Sequence, residues 1–248
     1  MEEPWRFASQ RTQEFDAEAM AYDRYRPRYP SGLFDDLIEL AGLAPGARVL
    51  EIGAGTGIAT RPLADRGLEV IAVEPSTAMA AIGRSRSVSP TRWVVGTFED
   101  LVPEEPVDLI VALNSWHWVE PSVGLANAAS WLRPGGSLAL VRTPVLQWGS
   151  DAFERALADA FGAPWPKTLD AVLETRRPVE GDRRFGPFVE RRHRFERTLD
   201  AATFVAVTRT YGAPHSDERD AILGALVDDA GGAVTKVEEA VLYLAHRR

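Results

Sequence analysis

Apolar residues along the chain fall into short unbroken blocks separated by stretches in which they recur at helical spacing. Val49–Ile52, Leu68–Val73, Thr91–Gly96, Val107–Leu113 and Ser137–Arg142 read as strands. VDLIVAL, apolar almost throughout, is what a parallel strand covered on both faces requires. Between them, Leu33, Leu37, Ile38 and Leu40 share one helical face, with Ser31 as a cap and Gly42 as a stop. Ser76–Gly83 and the segment from Glu120 and Ser122 to Leu132 read as further helices. Strand and helix in alternation predict an α/β fold around a mostly parallel sheet.

After Arg142 the pattern changes. Residues 143–187 carry weaker periodicity, a helix capped at Ser150 or Asp151, the proline-flanked Trp165 and an arginine-rich loop. Phe188–Leu199 then alternates, with Val189, His193, Phe195 and Leu199 on one face. Asp200 caps a helix through Val207, Ser216 caps another that ends at Gly231 and Gly232, and Val234–Ala245 supplies a last strand.

Composition narrows the field. A chain of 248 residues fits one α/β domain with additions. The absence of cysteine removes disulfides, thiolate metal sites and a cysteine nucleophile. A formal net charge of -8 argues against a broad nucleic-acid footprint, which needs clustered Lys and Arg. Arginines do crowd positions 176–197, but Glu174, Glu180, Asp182, Glu190 and Glu196 interleave with them, as on a solvated, salt-laced face. The acidic opening MEEPWRF and the lack of a long apolar run lead us to expect a soluble, cytoplasmic protein.

The chemistry concentrates in VLEIGAGTGIAT, Val49–Thr60, where a strand runs into Gly53, Gly55 and Gly57 and a helix begins. Such a loop takes positive φ, lets its backbone touch a ligand, and is followed by helix N–H groups without partners. A dinucleotide fingerprint would place its third glycine at position 58, which is Ile58. Glu51, two residues before the first glycine, would face a diphosphate with like charge. A nucleoside bearing an ammonium and a sulfonium, as S-adenosylmethionine does, makes that acid favourable. The next strand ends at Glu74, about twenty residues past the loop, where a carboxylate can accept both ribose hydroxyls. Each such charge-assisted bond contributes roughly 1.5–3 kcal/mol.

With these residues in register, the chain resembles the class I S-adenosylmethionine-dependent methyltransferases, in particular the small-molecule branch called methyltransferase type 11. VLEIGAGTG is similar to the family's first motif, VIAVEPSTAM to its second, GTFEDL to its adenine-side segment and LRPGGSLALV to the turn into its fifth strand. The resemblance spans roughly residues 20–145. It implies a Rossmann-like, seven-stranded, mostly parallel sheet closed by an antiparallel C-terminal strand pair, with helices on both faces. One domain, 1–248, would then include an arm and cap helix at 1–42 and a lid insertion at 143–187. By the same resemblance the cofactor would meet Glu51, Gly53, Ala54, Gly55 and Gly57 of the first motif and Glu74, Pro75 and Met79 of the second. Thr97, with Glu99 toward the adenine amino group and Phe98 covering the ring, would follow, Asp100 being the rival of Glu99. The aromatic arm AYDRYRPRYP would close over the cofactor through Tyr22 and Arg26, or simply pack by its aromatic rings.

Strand ends on this side of the sheet point at the transferring methyl, which makes NSWHW, Asn114–Trp118, the candidate reaction centre. Asn114 and Ser115 belong to the cofactor side, and Trp116 and Trp118, with Trp148 and His215, to the acceptor. Methyl transfer mainly requires nucleophile, methyl and sulfur held in line. A hydroxyl or amine acceptor also needs a base, and a carboxylate does not. His117 is the candidate base; equally, it could hydrogen-bond a backbone group and shape the pocket between the tryptophans. Asn114 and Ser115 do not suit Mg²⁺, so we expect no metal. No N-P-P-Y tetrapeptide occurs, which lowers the odds of a DNA amino-methyltransferase. The reading is methyl transfer, with oxygen as the expected target, to a small organic acceptor, leaving S-adenosylhomocysteine. An RNA or protein methyltransferase, a nucleoside-binding protein without transfer and an NAD-linked oxidoreductase stay open as alternatives. Oligomeric state is not read from the sequence.

Overall fold

Each apolar block folds as a strand of one central sheet in the computed structural model, which describes residues 8–87, 91–162, 177–211 and 216–248. In chain order the elements are α1 (Ala8–Tyr25), α2 (Ser31–Ala41), β1 (Arg48–Ile52), α3 (Thr60–Ala64), β2 (Glu69–Glu74), α4 (Thr77–Ser85), β3 (Thr91–Val95) and β4 (Val107–Leu113). A single 3-10 turn at Trp116–Trp118 leads to α5 (Pro121–Trp131), β5 (Leu132–Arg142), β6 (Val145–Trp148) and α6 (Asp151–Phe161). The chain closes with β7 (Val189–Asp200), α7 (Ala201–Arg209), α8 (Asp217–Asp229) and β8 (Ala233–His246).

Most helix starts use the side chain the sequence offers. Ser76, Ser150, Asp200 and Ser216 accept from backbone N–H groups three residues on, at 3.1, 3.2, 2.7 and 3.2 Å. Ser31 is the exception. Helix α2 begins directly after Pro30 without a side-chain cap, and the Ser31 hydroxyl accepts from Arg66 at 2.8 Å instead. Gly42 ends that helix in the left-handed region.

Strands β3, β2, β1, β4 and β5 lie side by side and parallel in that order. β8 then runs antiparallel to β5, and β7 pairs antiparallel along the outer edge of β8. This is the expected mostly parallel sheet with an antiparallel C-terminal pair. It has eight strands where seven were expected, because β6 continues the line of β5 along the same edge of β8. Residues alternate between faces. Leu50, Ile52 and Ile110 pack with Leu125, Ala128 and Ala129 of α5 on one face; Val49, Leu109 and Val111 pack with α2 and α3 on the other.

The first part of the 143–187 segment joins the sheet through β6 and packs α6 on α7 and α8, with Trp148, Phe153, Leu157, Phe204 and Leu223 in a third apolar cluster. Trp165 lies outside the described residues. The arginines of β7 are laced with acids: Arg192 meets Glu239 at 3.0 Å, Arg194 meets Glu196 at 3.4 Å, and Arg191 lies 4.0 Å from Asp36. Strand order reverses between β1 and β4, and it is outside the C-terminal ends of such strands that open α/β sheets bind ligands.

Candidate active site

The turn leaving β1 is shaped by its neighbours. Gly53 and Gly55 hold φ of 64° and 58°, and a Cβ on Gly53 would stand 2.6 Å from the Cβ of Ser115. Ser115 thus braces the loop from the end of β4, its hydroxyl donating to the Ile52 carbonyl. Ala54 N–H donates to Val73 O at 3.0 Å, tying the loop to β2 as well. The Met79 sulfur and the Tyr22 ring lie on its other side, 3.9 and 3.7 Å from where a Gly55 Cβ would be. The buried Thr56 hydroxyl in this loop has no hydrogen-bond partner among the described residues.

Two carboxyls meet beneath the loop. Glu51 is 2 % exposed and accepts from the Thr60 hydroxyl at 2.6 Å. Burial pushes its pKa up to about 8, the Thr60 bond opposing and Glu74 adding to the rise. Glu74 accepts from Gly55 N–H and Ser76 N–H, each at 2.8 Å, and burial raises it to about 7. On the third-strand side, Glu99 accepts from Glu120 N–H at 3.0 Å, Thr97 donates to Asp100 at 2.7 Å, and Phe98 is core, against Trp131 and Trp116. Pro75 is partly buried between Glu74 and the α4 cap.

Helix α1 lies across this end of the sheet. Asp16 accepts from the Ser76 hydroxyl at 2.5 Å and from Ala78 N–H at 3.0 Å. Asp23, buried, has Arg61 and Arg28 at 3.8 and 3.9 Å and pairs closely with Arg86. Arg26 stacks between Tyr22 and Tyr211, 5.0 and 4.0 Å from their ring centres, and donates to Thr210 O at 2.8 Å. Asn114, the one non-glycine residue with positive φ (57°) among the described residues, donates to Tyr29 OH at 3.1 Å and Thr143 Oγ1 at 2.7 Å and accepts from Thr143 N–H at 3.0 Å.

These groups surround a crevice of about 250 Å³ lined by Tyr22, Arg26, Tyr29, Glu51, Gly53, Ala54, Asn114, His117, Trp118 and Arg142, among others. Arg142 Nη1 lies 2.7 Å from His117 Nδ1. A guanidinium only donates, so Nδ1 accepts and the ring proton sits on Nε2. Trp116 is buried beside Phe98 and Gly124, away from the crevice. Trp148 stands one layer behind it, against Phe204 and Tyr211 and 4.8 Å from Lys236 Nζ. His215 lies outside the described residues. Among the described residues no group of three His, Asp or Glu is placed to hold a metal.

Arg142, Tyr29, Tyr211 and Lys236 were not singled out from the sequence. Arg142 and Tyr29 carried a usable signal, one at a strand end and one in the aromatic arm. Lys236 carried none: it is fully buried within β8, 2.6 Å from Glu238 and bonded to the Tyr211 hydroxyl that backs the crevice wall.

Residues 50–140 match the model of the methyltransferase domain family. Over 128 residues the chain is 39 % identical to an uncharacterised methyltransferase of Mycobacterium tuberculosis, covering 51 % of each. It is 35 % identical over 111 residues to a ubiquinone biosynthesis O-methyltransferase of Bradyrhizobium diazoefficiens, covering 43 % of this chain and 44 % of that one. A solved structure from Anaeromyxobacter dehalogenans, described as a type II methyltransferase, superposes with a TM-score of 0.64 at 24 % identity, over 90 % of this chain and 98 % of that one. The chain spans about half the length of the curated relatives it matches first. Its central segment is thus similar to the methyltransferase domain family, and the described chain shares the fold of that solved structure. No helix among the described residues is long and apolar enough to cross a membrane.

Proposed function

We propose that this protein transfers the methyl group of S-adenosylmethionine to an oxygen of a small organic acceptor, leaving S-adenosylhomocysteine. The observation that carries the reading is Glu51, a buried carboxyl at the root of the glycine loop that also lines the crevice. A diphosphate would only make this buried carboxyl harder to ionise, whereas an ammonium supplies the counter-charge that burial denies the carboxylate. The residues fit the cofactor in two further respects. The loop leaves no room for a Cβ at Gly53, and Glu74 sits at the end of the neighbouring strand, held by two backbone amides.

S-Adenosylmethionine supplies a methyl carbon already activated by its sulfonium. Glu51 takes the ammonium, Arg26 the methionyl carboxylate, and Glu74 the ribose hydroxyls. Glu99 and Phe98 lie toward the adenine side, and Tyr22 and α1 close over the loop. Trp118 and Phe195 give the acceptor an apolar wall. The ubiquinone-pathway relative supports a small acceptor. We place the protein in the cytoplasm and assign it no metal.

Titration calorimetry tests the reading by setting S-adenosylhomocysteine against NAD. The sulfur nucleoside should bind with proton release below about pH 8, because Glu51 must ionise to meet the ammonium. In Glu51→Gln that proton release should shrink to what Glu74 supplies, and affinity should fall about ten- to a hundred-fold. Binding of NAD in place of the sulfur nucleoside would end this assignment.

A further inference from the structure

Behind one wall of the crevice a chain of polar groups leads from the lining into the interior. Tyr211 lines the crevice and is 36 % exposed, yet its hydroxyl is bonded to Nζ of Lys236, which is fully buried. Lys236 in turn lies 2.6 Å from Glu238, also buried. The amine stands 4.8 Å from the ring centres of both Trp148 and Tyr211. The charged groups that face it are Glu238 on its own strand, Arg197 from β7 and Arg26 from just past α1. Burial lowers its pKa to about 8, with Glu238 opposing the drop and the two arginines adding to it. Burial pushes the Tyr211 phenol the other way, up to about 12, so that it stays protonated.

The residue type at this spot matters. Of the chain's 28 basic side chains only Lys167 and Lys236 are lysines, and the rest are arginines. A guanidinium keeps its charge in a protein, whereas a buried ammonium can give up its proton. The one lysine among the described residues therefore sits where a cation that can be discharged touches a phenol of the crevice wall. In the proposed reading Arg26 takes the methionyl carboxylate, and its guanidinium is 4.0 Å from the Tyr211 ring centre. Tyr211 thus lies at the end of the cofactor that carries the methyl. A hydroxyl acceptor there needs a base. Glu51 is given to the ammonium, and the Nδ1 lone pair of His117 is held by Arg142 at 2.7 Å.

We propose that Tyr211 and Lys236 form the proton relay of the transfer step, Tyr211 taking the proton of an acceptor hydroxyl while it passes its own to the neutral amine of Lys236. The inference rests on the methyl-transfer reading above. A lone pair of the acceptor oxygen forms the O–CH₃ bond, and the methyl–sulfur bond breaks with its pair going to sulfur. The acceptor proton moves to the Tyr211 oxygen and the Tyr211 proton to Nζ. The positive charge lost at sulfur reappears on Lys236, against Glu238, so the phenol itself never has to ionise. Tyr211 is the catalytic residue, and Lys236 acts through it.

The first test reads Lys236 directly, because the chain holds only two lysines. The full chain, labelled with ε-¹³C-lysine and saturated with S-adenosylhomocysteine, gives two side-chain signals by nuclear magnetic resonance, and Lys167→Arg shows which belongs to Lys236. Its midpoint should lie near pH 8, about two units below an ordinary lysine. Normal binding of S-adenosylhomocysteine with a midpoint above about pH 10 overturns this inference alone. Failure to bind S-adenosylhomocysteine at all removes the function reading and this inference with it.

The second test is turnover with methyl-labelled cofactor over a range of pH, with phenol, catechol and 4-methoxyphenol beside benzoate. Label should go to the hydroxyls, with a kcat that rises as pH passes through the Lys236 midpoint. Tyr211→Phe and Lys236→Met should each lower kcat about a hundred-fold or more, with KM little changed, and remove that rise. Lys236→Arg, which keeps the charge beside Glu238 but cannot take a proton, should be as slow as Lys236→Met. Rescue by Lys236→Arg, a rate without the rise, or label on benzoate and on no hydroxyl overturns the relay. An absence of label on every acceptor overturns it as well, and the resonance midpoint of the unaltered site decides where a variant fails to fold.

Discussion

At Gly53 one added methyl group would do harm in two ways. Its φ of 64° disfavours any L side chain, and its missing Cβ is the space that Ser115 occupies. Gly53→Ala should lower stability by about 1–3 kcal/mol in urea denaturation and abolish measurable binding of S-adenosylhomocysteine. Gly46 offers the control. It also has positive φ but nothing within 4 Å of its Cβ position, so Gly46→Ala should cost stability without touching the crevice. At this scale the sequence was readable where chemistry demands one residue type: the glycines, Glu51 and Glu74 could be named because no other residues do their work. It was unreadable for Trp148 and Trp116, since an indole that lines a pocket and one that fills a core look alike until neighbours are assigned. His117 shows the same limit. Its position was legible, and its role turned on Arg142, a residue 25 positions away that fixes the ring proton.

Among the elements, α1 is the one that the proposed function sets over the nucleoside side. It is held by Asp16 on the first turn of α4 and by Asp23 among Arg28, Arg61 and Arg86. The Ser76 hydroxyl and the Ala78 amide hold the Asp16 carboxyl below its ordinary range, so this latch is charged at neutral pH. Asp16→Ala should cost about 0.5–2 kcal/mol, the usual worth of such a contact at a helix start. The expected signature is faster dissociation of S-adenosylhomocysteine by stopped flow and lost hydrogen-exchange protection in α1, with protection of β1 and β4 unchanged. Equal loss across the sheet would mean that α1 is part of the cooperative core and not a cover. The strands were found from apolar runs alone, and β4 was placed to the residue. β6 was missed because VLQW is too short and too mixed to register as a strand; only its pairing with β8 makes it one. Ser31 failed as a cap for a related reason, since Arg66, far along the chain, competes for its hydroxyl.

For the whole molecule, the two buried carboxyls set an unusual pH dependence. Glu51 and Glu74 rise from 4.5 to about 8 and about 7, so between those values the folded chain keeps protons that the unfolded chain has released. Stability must then fall as pH rises from about 4.5 to 8, the reverse of a salt-bridged acid. Thermal melts of the ligand-free protein should show this decline, Glu51→Gln should flatten it, and saturating S-adenosylhomocysteine should recover most of it near pH 8. A melting temperature that climbs steadily from pH 5 to 8 would contradict the burial of these groups.

The order of strands and helices, the glycine loop and its two acids were determined by the sequence itself, because they depend on local periodicity and on residues whose conformational or charge properties are unique. The sheet register, the Asn114–Tyr29–Thr143 clamp, the Lys236–Glu238 pair behind Tyr211 and the proton on His117 were decided only by the tertiary structure. Each of these depends on a partner distant in the chain, and a hydrogen bond or a buried charge has no meaning until that partner is in place.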